Sequence, residues 1–281
     1  MDRTLIIAEI GINHQGDINI FKKMMLSAKQ CGVDAVKSQK RVPRLCYTDE
    51  QYNAPRVDID GITKSYGECK EALELSGDEW IEAMAYADEI GIPLFASAWD
   101  IESAKFVRDI GTQVIKISSA NLIDRPLLEE VAGYGLPIIL STGMSTTEEV
   151  DTAVDILKNT DLTLMHCTSC YPCKNEDINL RVIPELIKRY KLPVGFSGHH
   201  TGVALDAVAV AMGACMIERH FTLDRSMQGT DHAASLEPVG MERVVKYIRA
   251  VEVALGTEYK TVLDCERGSI EKLRAYINKR G

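Results

Sequence analysis

The sequence predicts an α/β protein of the (β/α)8 TIM-barrel class, a single domain over residues 1–281 with the barrel itself over about 4–255. Three observations carry this. Eight short apolar runs recur: Thr4–Gly11, Val33–Gln39, Ile92–Ser97, Gln113–Ser119, Leu136–Thr142, Leu162–Cys167, Pro193–His199 and Cys215–His220. Nearly every run ends in polar residues capable of chemistry, among them Glu9, Lys37, Lys116, Ser141, His166, His199 and His220. The segments between them space their apolar residues as helices do, and a parallel barrel gathers such strand ends at one face.

In chain order, the first strand ends at Glu9 and leads through Asn13 and His14 to a helix from about Asp17 to Cys31, with Ile20, Met24, Ala28 and Cys31 on one face. After the second strand, Lys40 to Ser76 is the longest stretch without a sustained period. A loop of that length at a barrel's active face reads as a lid or binding loop. A helix over Gly77–Ile90 stops at Gly91, and the next, over Asp100–Ile110, has Asp100 as N-cap and Gly111 beyond its end. Asp124-Arg-Pro126 opens a fourth helix, and Ser145-Thr-Thr-Glu148 reads as a capping box opening a fifth. Helices over about 180–190, 203–213 and 240–255 complete the ring. The charged tail, 256–281, is expected to pack as an extra helix over 270–279 or to fray. No linker marks a second domain.

A chain of 281 residues matches one such barrel, roughly 250 residues long, with little left over. The net charge of −9, from 32 basic and 41 acidic side chains, argues against nucleic acid or an anionic membrane as partner. It leaves a small anionic molecule open, with Lys37 and Lys116 expected to supply a local positive field. No apolar stretch approaches the roughly 20 residues that span a bilayer. The first residues run into a strand without a signal-peptide pattern, so a cytoplasmic enzyme with reduced thiols is expected. Cys167, Cys170 and Cys173 form C-x-x-C-x-x-C, part of an iron–sulfur or zinc pattern, but no fourth cysteine lies nearby and incidental thiols are the better reading.

His199 and His220 end the seventh and eighth runs, neighbours in a closed barrel, where two imidazoles can share one divalent metal with Glu9 and Asp231 available beside them. The bland alternative for either is a cap or a satisfied core histidine. Lys37 and Lys116 point into the barrel and must have partners there. One reading is a clamp on phosphate or carboxylate, with Ser119, Ser141 and Ser197 as hydroxyl donors; the other is a structural lysine–glutamate pair. Ser141-Thr-Gly-Met144 is a glycine turn ahead of a helix, whose N–H groups can approach an anion. Tyr171-Pro172 and the stretch from Asp224 to Asp231 are loops positioned to touch a polar substrate.

Seven of these motifs together resemble one family. Glu9-Ile-Gly-Ile-Asn-His14, Lys37-Ser-Gln39, Lys116-Ile-Ser-Ser119, Ile138-Ile-Leu-Ser-Thr-Gly-Met144, His166-Cys-Thr-Ser-Cys-Tyr-Pro172, Gly195-Phe-Ser-Gly-His199 and Ile217-Glu-Arg-His-Phe-Thr222 resemble the sialic acid synthases, in order from about residue 4 to 255. The resemblance implies metal-dependent condensation of phosphoenolpyruvate with an N-acylated, N-acetylmannosamine-like amino sugar to a nonulosonic acid and phosphate. It implies a divalent metal, Mn ahead of Mg or Co, on His199 and His220. It implies phosphoenolpyruvate on Lys37, Lys116, Ser119, Ser141, Ser169 and Ser197, the sugar on Glu9, Gln39, Tyr171 and Asp231, and a homo-oligomer, a dimer.

The chain departs from the family's pattern in three places. Asn121 stands where a catalytic glutamate is usual, so proton transfer is expected to pass to Glu9, Asp231 or a water. Ala98 replaces a common threonine. The chain reads as a short form without the C-terminal antifreeze-like domain. The competing expectations are a related 3-deoxy-sugar acid synthase or aldolase on the same barrel, and a catalytically silent sugar- or phosphate-binding barrel.

Overall fold

Parallel pairing closes the eight apolar runs into a barrel in the computed structural model, which describes residues 3–57 and 61–277. The first half contains β1 (Leu5–Gly11), α1 (Ile18–Gln30), β2 (Ala35–Lys40), α2 (Pro43–Cys46), α3 (Asp49–Asn53), β3 (Pro55–Val57), β4 (Thr63–Ser65), α4 (Tyr66–Glu71), α5 (Gly77–Ile90), β5 (Leu94–Ala98) and α6 (Ile101–Asp109). The second half contains β6 (Ile115–Ile117), α7 (Arg125–Ala132), β7 (Ile138–Ser141), α8 (Thr147–Leu157), β8 (Leu162–Cys167), α9 (Val182–Tyr190), β9 (Val194–Gly198), α10 (Ala204–Ala211), β10 (Met216–His220), α11 (Pro238–Leu255) and α12 (Arg267–Arg274). Around the barrel the strands run β1, β10, β9, β8, β7, β6, β5, β2 and back to β1.

Side chains alternate across a strand, so every second residue points into the barrel. Ile7, Ala35, Phe95, Ile139, Met165 and Met216 form an apolar interior cluster. Two residues further along the same strands stand Glu9, Lys37, Ser97, Ser141, Cys167 and Glu218, which line a cavity. One strand period therefore separates packing from chemistry. The opposite faces of the strands pack under the helices in a second, larger cluster that includes Phe21, Trp80, Leu127 and Ile248.

Helix starts follow their caps. The side chains of Asp17, Asp100 and Asp124 accept backbone N–H bonds at the starts of α1, α6 and α7. The fifth predicted helix starts one residue later than its sequence suggested: Thr146 and Glu149 form the capping box, while the Ser145 hydroxyl donates to the Gly143 carbonyl. The buried face of α1 is Phe21, Met24, Met25 and Ala28, so Ile20 lies at its edge.

The stretch from 40 to 76 is not the irregular loop its sequence suggests. It holds α2, α3, the antiparallel β3–β4 hairpin and α4, with capping boxes at Thr48–Gln51 and Ser65–Glu68. Elements of three to six residues are too short to show a period. A buried Arg41–Glu74 ion pair, 2.5 Å long, ties this insertion to the barrel rim. The C-terminal tail forms α12 but buries none of its residues, and the expected helix end at Lys279 lies outside the described residues. No helix among the described residues is long and apolar enough to cross a membrane.

Candidate active site

The strand ends converge on a cavity of about 230 Å3. That is below the roughly 300–1,000 Å3 of drug-sized pockets and suits a small polar ligand. Sequence reasoning brought most of its wall together: Glu9, Lys37, Gln39, Lys116, Ser119, Ser141, Ser169, Tyr171, Ser197, His199 and His220 all line it. Asn121 and Asp231 do not.

The two buried lysines are the core of its electrostatics. Lys37 Nζ lies 2.6 Å from Glu9 Oε2, donates to Ser97 Oγ at 2.9 Å, and stands 3.8 Å from Glu218 Oε1. Lys116 Nζ donates to both oxygens of Glu218, at 2.9 and 3.2 Å. The lysine–glutamate pairing is thus present, and the net positive field expected from Lys37 and Lys116 is cancelled by two carboxylates. The cause is desolvation: a buried ammonium without a counter-charge is too costly to keep. Burial pushes the Glu218 carboxyl up, but Lys116 and then Lys37 outweigh it and hold it down at about 2. Burial opposes the charged form of Lys37 as well, yet Glu218 and Glu9 raise it above the ordinary lysine value.

Opposite the lysines, the ring centroids of His199 and His220 are 5.6 Å apart, and the Tyr171 ring lies 4.2 Å from the first and 5.7 Å from the second. His199 Nδ1 bonds to the Thr168 carbonyl at 2.8 Å, which directs Nε2 into the cavity. Burial first, and His220 beside it, lower His199 to about 4, so its ring is neutral at ordinary pH and keeps a lone pair to donate. His220 Nδ1 is buried without a hydrogen-bond partner and faces Asp231 Oδ2 across 3.8 Å. Among the described residues no cluster of three His, Cys, Asp or Glu side chains forms a complete cage. The pair nevertheless fits a divalent ion that leaves positions open for water or substrate, as catalytic sites do. Cys167, Cys170 and Cys173 point to separate partners: the Ser119 hydroxyl, the Pro172 carbonyl and the Lys174 carbonyl.

Between lysines and imidazoles runs an arc of hydroxyls. Gly143 N–H donates to Ser119 Oγ at 3.0 Å. A Cβ on Gly143 would come within 2.5 Å of Ser169 Oγ and 2.8 Å of Ser119 Oγ, so only glycine allows this approach. Gly11 has a φ of +57°, and a Cβ there would crowd Glu9, Asp231 and Gln39 at 3.2–3.3 Å. Gln39 Nε2 donates to Glu9 Oε1 at 3.1 Å, which leaves both Glu9 oxygens engaged.

Asn121 is corrected as a cavity residue. Its side-chain amide donates to the Trp99 carbonyl at 3.0 Å and accepts from the Ser118 hydroxyl at 2.7 Å, bracing the turn after β6. Asn121→Asp should therefore destabilise the fold by about 1–3 kcal/mol, since a carboxylate would face a carbonyl with no proton between them. Chemical denaturation measures this, and an unchanged midpoint would show that the turn relaxes freely. His166 is also outside the cavity, because its odd position on β8 turns it outward to the Ile178 carbonyl at 2.7 Å. Several cavity residues went unread, among them Glu218, Ser97, Trp99 and Ser118. Strand alternation was the available signal for Glu218, which stands two residues before His220.

Barrel proteins keep their chemistry where this cavity lies, and this chain is a (β/α)8-barrel enzyme. It belongs to the NeuB family, whose sequence profile matches residues 24–260. It is 41% identical over 271 residues to the N-acetylneuraminate-9-phosphate synthase of Mus musculus, covering 95% of this chain and 76% of that protein. It is 35% identical over 280 residues to the N,N'-diacetyllegionaminic acid synthase of Campylobacter jejuni, covering 98% and 84%. The crystal structure of N-acetylneuraminic acid (sialic acid) synthetase from Leptospira borgpetersenii, in complex with citrate, superposes with a TM-score of 0.86 at 30% identity, covering 99% and 93%. The resemblance read from the seven motifs is borne out.

Proposed function

We propose that this chain condenses phosphoenolpyruvate with an N-acylated amino sugar, giving a sialic-type nonulosonic acid and phosphate. The observation that carries this is the two-sided cavity, with lysines and hydroxyls on one wall and paired imidazoles on the other. Relatives named as synthases of N-acetylneuraminate 9-phosphate and of diacetyllegionaminic acid support it. The reading includes a cytoplasmic, homodimeric enzyme.

In this mechanism Lys37, Lys116, Ser119, Ser141, Ser169 and Ser197 hold phosphoenolpyruvate through charge-assisted hydrogen bonds. Glu9, Gln39 and Tyr171 position the open-chain sugar. A divalent metal on His199 and His220, Mn ahead of Mg or Co, would supply Lewis-acid polarisation of the sugar's aldehyde. C3 of phosphoenolpyruvate attacks the aldehyde carbon, and water captures the cationic C2. The tetrahedral intermediate then expels phosphate by C–O cleavage. The new alkoxide needs one proton and the attacking water gives one up. Asp231, with Oδ1 held by the Thr230 hydroxyl and Oδ2 directed at His220, is the carboxylate we assign to that transfer.

Phosphate release from phosphoenolpyruvate should require an N-acyl hexosamine, stop in excess chelator and return with added Mn. Release that persists in chelator would remove the metal from the mechanism. No release with any N-acyl hexosamine would leave a silent binding barrel as the correct reading.

A further inference from the structure

Asn13 and Gln15 belong to the turn that follows β1, and the chemistry proposed above uses neither. Asn13 is 1% exposed, and its bonds reach far along the chain. Its Nδ2 donates to the Phe221 carbonyl and to Ser235 Oγ, both at 2.9 Å and 208 and 222 positions away. The Ser235 hydroxyl, also buried, donates onward to the Asp231 carbonyl at 2.7 Å. Phe221 is the residue after His220. One amide therefore anchors the neighbour of His220 and, through Ser235, the backbone of Asp231. These are the two residues whose side chains face each other across 3.8 Å.

The loop between β10 and α11 supplies little order of its own, with a single short helical turn at His232–Ala234. Its downstream end is closed by Leu236, whose N–H donates to the His220 carbonyl at 2.7 Å. Further up, Gln15 Nε2 donates to the Gln228 carbonyl. Asp231 lies between these two holds, where the bridge from Asn13 meets it. The Oδ1 of Asn13 is buried with no hydrogen-bond partner among the described residues. An apolar side chain of similar size would avoid that cost, so what Asn13 contributes is the pair of bonds its Nδ2 donates.

We propose that Asn13 and Ser235 are positioning residues that set the Asp231 carboxylate against His220 without touching substrate. The proposal rests on the part assigned to Asp231 under the synthase reading, and it names what holds that carboxylate in place. A reacting group carried on a loop is only as well placed as the contacts behind it.

Asn13→Ala and Ser235→Ala should be made singly and in an Asp231→Asn background, each in the full chain. Turnover of phosphoenolpyruvate with an N-acyl hexosamine and Mn is then measured. Each single variant should lower kcat by about 10- to 100-fold, the scale of a misplacement near 1 Å, with the phosphoenolpyruvate KM nearly unchanged. In the Asp231→Asn background the same changes should cost little more, because the group they place is already gone. Equal losses in both backgrounds, an unchanged kcat, or a rise in KM matching the fall in kcat would overturn the proposal. Should Asn13→Ala fail to fold, Ser235→Ala, which deletes one hydroxyl, decides alone. Amide hydrogen exchange supplies a readout independent of turnover. Both variants should speed exchange over 230–235 while β1 and β10 exchange as in wild type, since Gln15 and Leu236 keep their holds. If the wild type turns over no amino sugar, the synthase reading fails. Exchange over 230–235 then still decides whether the bridge holds Asp231, and unchanged exchange overturns it.

Discussion

Glu218→Gln should lower the unfolding free energy at neutral pH by about 3–5 kcal/mol, the cost of removing one partner from a buried ion pair. The residue is 5% exposed and is the carboxylate that Lys116 bonds twice. Lys37 would keep Glu9, but Lys116 would be left with an amide in place of a charge. The pH dependence has a definite sign. The Glu218 carboxyl in the fold is held at about 2, below its ordinary value near 4.5, so its contribution is complete above pH 4.5 and is lost as pH falls toward 2. The wild type should therefore lose stability steeply across that window and the variant should not. Denaturant midpoints measured from pH 7 down to pH 2 test this. A double variant with Lys116→Met should recover part of the loss, because the two sites share one interaction. Equal acid limbs in wild type and variant would mean that Glu218 is not charged in the fold.

The strands and their polar ends were legible because a barrel strand writes itself as an apolar run with a fixed parity. Lys37 and Gln39, or His199 and Ser197, can be assigned inward two residues apart with no structure in hand. What the same logic could not show was which charges meet. Glu218 is 102 positions from Lys116, and Ser97 is 60 from Lys37. Nothing local to either lysine names its partner, so a clamp and a salt bridge read alike in sequence. Asn121 shows the reverse error: its motif position suggested chemistry, while its amide closes a turn between Trp99 and Ser118. The 40–76 insertion was misread for want of length, although its capping boxes were in plain view.

Asp231→Asn should lower kcat by about 10²–10⁴-fold, the range for losing a general acid–base group, with much smaller effects on substrate binding. The geometry separates it from the other candidate carboxylates. Glu218 is committed to two lysines, and Glu9 has one oxygen on Lys37 and the other on Gln39. Asp231 does not line the cavity, but its side chain is 19% exposed and its Oδ2 looks at His220 across 3.8 Å. A carboxylate in that place could act in two ways. It could move the proton, or it could orient His220 from behind, as carboxylates behind metal-binding histidines do. The readouts differ. Proton transfer predicts that Asp231→Asn loses one limb of the pH–rate profile while the Mn concentration for half-maximal activity stays put. Orientation predicts a 10- to 100-fold weaker metal response with both limbs kept. Glu9→Gln is the comparison: it strands Lys37 beside an amide, so it should raise the sugar KM and lower stability while leaving both limbs in place. If Glu9→Gln erases the limb and Asp231→Asn does not, the proton passes through Glu9, and the Lys37 pair must open during turnover.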